Sequence, residues 1–409
     1  MKFNPVMIPK IETYEDASEF TYKTKKEFER VSEKRRIALS LQSGGVDSTT
    51  CGIIAYEALG PKLFRGIHFE HGGMRKGECK EVLWNLNSEC KLPVTYKDFS
   101  EIFMKNVINA GKDSEEKRRA VSETYFNVAL NLAKENEADI LIHGTIKPDW
   151  LETERKIKRQ HNVIPDYWKN LFEDEGIIIA EPLYHLYKPD VRNLLRYYRV
   201  PSSITERKPF LGPGLYCRAV GQVSEEKMEI LREADSILMP SLENYAKRFT
   251  EKSNKDFQCL CAIMDNKTNV IDIDTKWFNT PEGLITEDKV TGMKENKRTY
   301  TNMLLIDSPH EISYLSKTSE KFVNENLDKG IGRVAVQIEK FHSDGEYNLI
   351  LRSIITDKFT KAQVMPIEKS VLQSMSKNLE EVLIKPYFWK IAGVYYDVTP
   401  KPPATIEFE

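Results

Sequence analysis

The chain has 409 residues, 30% of them charged, with 60 Lys and Arg against 62 Asp and Glu and a formal net charge of −2 at pH 7. At about 150 residues per domain that length predicts roughly two to three domains, each with a core of its own. The near-neutral balance gives no bias toward a phosphate backbone or anionic lipid, so neither nucleic acid nor a membrane is an expected partner.

Six scattered cysteines do not make a disulfide framework, and no apolar run approaches the ~18 residues of a membrane helix. The first residues carry acids and prolines where a secretion signal has an apolar core, so a soluble cytoplasmic protein is expected.

Residues 1–36 are charge-rich, and the run KTKKEFERVSEKRR reads as an exposed helix or tether, an N-terminal extension ahead of a core that begins at Ile37. Apolar IALSL (37–41) predicts a buried strand, followed by a glycine turn and a helix through TTCGIIAYEAL. LFRGIHF then reads as a strand, KGECKEVLWNLNSEC as a helix and PVTYKDF as a strand. A helix over 114–136 precedes the strands ADILIHG and GIIIAEPL. Strands separated by helices predict a parallel sheet covered on both faces, with ligands at the carboxyl ends of its strands.

Between the last two strands, residues 147–174 are rich in charge without sustained periodicity, the pattern of a lid or a disordered loop. PFLGPGL at 209–215 leads to a domain boundary near residue 222. Beyond it come a charged helix over SEEKMEILREADSILMPSLENYAKRF, a polar stretch, and strand-like runs near 302–306, 333–338 and 347–355. That segregation predicts an α+β domain over 223–409. Cys259 and Cys261 read as thiols in a strand, and no H-E-x-x-H or paired C-x-x-C suggests a metalloenzyme.

The strongest chemical signal is Ser43-Gly44-Gly45-Val46-Asp47-Ser48, between a buried strand and a helix. Glycines and hydroxyls at such a turn free backbone N–H groups to surround a phosphate at the positive end of the helix, and Asp47 could hold Mg²⁺. The kinase and GTPase pattern G-x-x-x-x-G-K-[ST] is absent.

This hexapeptide resembles the pyrophosphate-binding loop of the N-type ATP pyrophosphatases, and further residues are similar to the GMP synthetase family. They are Phe69 to Glu78 (FEHGGMRKGE), Gly144-Thr145-Ile146-Lys147-Pro148-Asp149, Lys156 to Asn162 (KIKRQHN), Arg207 to Leu215 (RKPFLGPGL) and the run DVTPKPPATIEFE from Asp397. The resemblance implies an adenine nucleotide alpha hydrolase-like domain with a parallel sheet over 37–222, then an α+β dimerisation and nucleotide-binding domain. It implies ATP-dependent amination of XMP to GMP through an adenylate, with ATP and Mg²⁺ required, XMP or a related purine nucleotide as partner, and a homodimer.

It further implies that Ser43 to Ser48, Gly144 and Thr145 bind ATP, that Asp47 holds the metal, and that Asp47, Lys158 and His161 are catalytic. Arg75, Asn162, Arg207, Gly212, Gly214, Arg352, Lys401, Thr405, Ile406 and Glu407 are the expected nucleotide-substrate residues, with cations for the phosphate and Glu407 for base N–H groups. The 36 residues before Ile37 hold neither Cys nor His, so glutamine hydrolysis within this chain is not expected. Nitrogen would come from a separate glutaminase subunit or from ammonia.

The sequence departs from the family at Gln160, Lys208, Leu211, Gly393 and Pro400 and carries extra residues near 247–290. Amination of another purine nucleotide, or a nucleotide-binding regulator without turnover, are the alternatives these changes leave.

Overall fold

A computed structural model describes residues 1–33, 35–154, 163–207, 212–251, 255–295, 297–356 and 361–409. The chain divides into two compact units: Met1–Phe103 with Ala120–Gly212, and Met104–Arg119 with Pro213–Glu409. Among the described residues, no helix is long and apolar enough to cross a membrane.

The first unit is built on β1 (Ile37–Leu41), β2 (Phe64–Glu70), β3 (Val94–Asp98), β4 (Ala138–Ile142) and β5 (Ile178–Ala180), in the order β3-β2-β1-β4-β5. Every pairing is parallel, as the strand–helix alternation predicts. The chain winds from β1 outward to β2 and later returns to lay β4 on the other side of β1. The carboxyl end of β1 is therefore a topological switch point, where neighbouring connections part and leave a crevice.

Residues 1–36 are not an exposed tether. Helix Tyr14–Val31 buries Ala17, Phe20, Phe28 and Val31, while Phe3 and Ile11 join the same core. The charges occupy the opposite face, which hides a helical apolar stripe in a window dominated by Lys and Glu. Ile11 is fastened by its N–H to Asp190 Oδ1 at 3.0 Å and by its carbonyl to Asn193 Nδ2 at 2.6 Å.

Residues 147–174 include two helices, Lys147–Glu154 and Asp166–Asp174, the second burying Trp168 and Phe172. Lys158, His161 and Asn162 lie outside the described residues, as do Gln160, Lys208 and Leu211.

The second unit begins its C-terminal run with the helix Glu225–Thr250, whose first turn is capped by Ser224 Oγ accepting from Lys227 N at 3.1 Å. Its sheet comprises β6 (Asp256–Asp265), β7 (Thr268–Asp272), β8 (Glu282–Lys294), β9 (Lys297–Ile306), β10 (Ile331–Lys340), β11 (Tyr347–Thr356), β12 (Gln363–Val364) and β13 (Ile391–Asp397). The order is β12-β11-β13-β10-β9-β8-β7, with β6 also on β11.

The polar stretch near 247–290 is thus sheet. β6 pairs with β11 from Asp256↔Thr356 to Asp265↔Tyr347. Cys259 and Cys261 are buried on β6, and burial raises the Cys261 thiol well above its ordinary range.

Candidate nucleotide site

Helix Val46–Leu63 starts directly at the carboxyl end of β1, with Gly45 as its N-cap. The first-turn N–H groups of Val46, Asp47 and Ser48 precede the first carbonyl that the helical ladder can use. The ladder itself begins at Thr49 N on Gly45 O, 3.0 Å.

Hydroxyls close the loop: Ser43 Oγ lies 3.0 Å from Ser48 Oγ and accepts from Gly45 N at 3.2 Å. Gln42 Nε2 braces the loop from beneath through Ser40 Oγ (2.7 Å) and Ser48 O (2.9 Å). Three aligned donors, the helix dipole and two hydroxyls form a cradle for an anion.

Two glycines sit where space is tight. Gly44 has φ +72, and a Cβ there would lie 2.7 Å from Val82 and 2.8 Å from Arg207 Nη1. Gly144, at the end of β4, would bring a Cβ to 3.3 Å from both Asp47 Cβ and Ser48 N. The end of β4 therefore packs closely against the start of the helix at Asp47 and Ser48.

Asp47 Oδ2 accepts from Lys188 Nζ at 2.7 Å. Its Oδ1 is buried and finds no hydrogen-bond partner among the described residues. A desolvated carboxylate oxygen beside an anion cradle is under-satisfied unless a cation or donor arrives. No group of three or more His, Cys, Asp or Glu among the described residues could hold a metal ion by itself, so a cation here would complete its shell with ligand oxygens.

Arg207 Nη1 donates to Gly44 O at 3.0 Å and Nη2 to Glu78 Oε1 at 2.6 Å, while Arg75 N donates to Glu78 Oε2 at 3.0 Å. One buried carboxylate thus ties Arg75 and Arg207 to the loop. Thr145 is fully buried, its hydroxyl bonded to His143 Nδ1 (2.9 Å) and Glu181. It supports the β4 end through these bonds. Burial presses His68, His71 and His143 below the ordinary histidine range, which leaves all three neutral at neutral pH.

The remaining expected residues among those described, Gly212 apart, belong to the second unit. Gly214, at φ +61, opens the buried turn Gly214–Arg218, while Gly212 is exposed at the end of the first unit. After β13 the chain runs through Lys401, Thr405, Ile406 and Glu407 without regular pairing.

Arg352 is fully buried. Its Nη1 donates to Asp397 Oδ2 (2.8 Å) and Thr399 O (2.7 Å), and its Nη2 to Thr405 O (3.0 Å). This guanidinium, expected at a substrate phosphate, here braces the tail through Thr399 O and Thr405 O. Both Glu407 carboxylate oxygens accept from Arg218, at 3.2 Å each. Lys401 is half-buried, with its backbone in reciprocal 2.9 Å bonds with Ala362.

Sequence reasoning missed Lys188, Glu78, Arg218, Arg333 and Asp397 as parts of these arrangements. Arg333 had a readable signal, a lone guanidinium inside the apolar run IGRVAVQI; Lys188, 141 positions from Asp47, had none.

Residues 334–408 match the family described as GMP synthase C terminal domain. One of the subunits of glutamine-hydrolysing GMP synthase from Saccharolobus islandicus is 33% identical over 91% of this chain and 94% of its own length. The same subunit from Methanopyrus kandleri is 31% identical over 91% and 93%, and that from Archaeoglobus fulgidus 30% identical over 96% and 100%. A solved structure of NMN synthetase from Francisella tularensis is similar at a TM-score of 0.38 and 15% identity, over 58% of this chain and 94% of that one, a likeness that carries no argument. On these relatives, the chain belongs to this family of GMP synthase subunits, ligases that form a carbon–nitrogen bond.

Proposed function

We propose that this chain is the ATP pyrophosphatase subunit of a GMP synthase and aminates XMP to GMP through an adenyl-XMP intermediate. The 2-oxygen of XMP attacks the α-phosphorus of ATP, the bond to the bridging oxygen breaks, and pyrophosphate leaves as the ring N–H proton is released. Ammonia then adds at C2, the C2–O bond breaks, AMP departs with that oxygen, and a second proton is lost. No covalent bond to the protein is needed, so catalysis rests on positioning and on electrostatic stabilisation of the α-phosphate.

The observation that carries this reading is the loop over 43–48, which brings together in one turn the first N–H groups of a helix, the Ser43 and Ser48 hydroxyls and an Asp47 oxygen with no partner among the described residues. Those groups would hold the pyrophosphate moiety of ATP. Asp47 Oδ1 would hold Mg²⁺, which when bound neutralises triphosphate charge.

Lys158, His161 and Asn162 are assigned to the lid, with Lys158 at the equatorial α-phosphate oxygens. Lys401 serves the XMP phosphate and Glu407 its base. Arg75, Arg207, Gly212 and Gly214 keep the substrate-nucleotide role that the resemblance implies. The relatives are named as one subunit of a glutamine-hydrolysing enzyme, which supports a separate glutamine amidotransferase subunit as the ammonia source. A cytoplasmic homodimer completes the proposal.

XMP labelled with ¹⁸O at the 2-oxo position tests the intermediate. The label should appear in AMP; its recovery in water or pyrophosphate would exclude attack by that oxygen. Arg207→Gln should raise the KM for XMP, by removing an assigned cation, and the KM for ATP about tenfold or more in a steady-state assay, because it removes the charged donor from Gly44 O and leaves Glu78 Oε1 without its partner. An unchanged KM for ATP would remove Arg207 from loop support.

A further inference from the structure

The tail after β13 is fixed by side chains. Three buried arginines, Arg218, Arg333 and Arg352, face three buried carboxylates, Asp235, Asp397 and Glu407, so the charges balance out of water. Asp397 sits on β13 between β10 and β11, and its Oδ2 accepts from Arg333 Nη1 on one side and Arg352 Nη1 on the other, 2.8 Å each.

Arg333 reaches furthest. Its Nε donates to Thr291 O (2.9 Å) on β8, and its Nη2 to Thr405 Oγ1 (2.7 Å), Thr405 O (3.2 Å) and Glu407 O. The Phe408 ring covers its face at 4.7 Å. One planar fork therefore joins β8, β13 and the tail at Thr405 and Glu407. An ammonium on a flexible stem has no such geometry.

We infer that Arg333 is a positioning residue for the substrate nucleotide, holding the Thr405 to Glu407 backbone so that Lys401 and Glu407 are presented in one fixed arrangement. This role rests on the reading that the tail contacts XMP. Arg333 itself touches no ligand: it is fully buried and its donors end on protein oxygens.

The test compares Arg333→Lys, which keeps the charge and loses the fork, with Val394→Ala, which opens a plain cavity in β13. Each purified full-length enzyme is assayed for pyrophosphate release with ATP, XMP and ammonium, and amide hydrogen exchange is followed across the chain. Arg333→Lys should raise the KM for XMP about tenfold or more, with kcat within about threefold and the KM for ATP within about twofold. Exchange should accelerate at residues 399–408 while the rest of the sheet stays protected. Val394→Ala should lower the melting temperature and leave the KM for XMP unchanged.

An active Arg333→Lys enzyme with unchanged XMP saturation, or with exchange accelerated evenly over the second unit, overturns the positioning role alone. A wild-type enzyme that releases no pyrophosphate with XMP overturns the substrate reading, and the nucleotide role of Arg333 with it. Local exchange at 399–408 would then report only a structural clamp.

Discussion

Asp47→Asn should lower XMP-dependent pyrophosphate release by about 10²–10³-fold or more, the scale of removing one preorganised electrostatic group. The melting temperature should stay within about 3 °C. Catalysis would lose the charge of the one carboxylate in the 43–48 loop, whose Oδ1 has no partner among the described residues. The fold would lose only a partly exposed ion pair with Lys188, 14% and 32% exposed on its two sides, a class worth about 0–1 kcal/mol. Such a pair accounts for a few degrees at most at about 2–4 °C per kcal/mol in domains of this size. Rate measurements beside calorimetry separate the two effects, and a variant with wild-type turnover would remove Asp47 from the metal role.

The largest effect on stability belongs to Asp397. Asp397→Leu leaves Arg333 and Arg352 buried and without their shared carboxylate, a class of change that costs about 3–5 kcal/mol. The second unit should melt roughly 10 °C lower by calorimetry. Burial already presses the Arg333 guanidinium down to about 10, against the opposing pull of Asp397 and Glu407, so loss of Asp397 removes the larger of the two carboxylate supports of its charged form.

Replacing all three residues together by apolar side chains of similar volume should recover much of the loss, because the penalty comes from orphaned charge and not from missing attraction. A single Asp397→Leu variant that melts like the wild type would show that the arginines find compensation elsewhere.

The first unit was legible in the sequence where burial and periodicity coincide. IALSL, LFRGIHF and ADILIHG are largely apolar runs because the central strands of a covered parallel sheet face protein on both sides. The glycine loop was legible because its turn takes Gly44 to φ +72, a conformation that glycine adopts freely.

The sequence offered a helix in the run KTKKEFERVSEKRR, but the burial of helix Tyr14–Val31 was hidden by its own solvated face of Lys and Glu. Cys259 and Cys261 marked a strand at β6, but its pairing was hidden because strand register is decided by partners far along the chain, here β11. Arg352 shows the same limit at the site. A cation near an expected phosphate reads as a ligand, whereas its environment, Asp397 and two tail carbonyls, exists only once β11 and β13 lie side by side.

The most direct test of the central claim is release of AMP and pyrophosphate by the purified chain with ATP, Mg²⁺ and ammonium, comparing XMP, IMP and no acceptor, with GMP formation followed in parallel. The account predicts pyrophosphate release only with XMP, matched one to one by AMP and GMP. Release with IMP but not XMP, or no release by a chain that binds both nucleotides and receives ammonia, would contradict it.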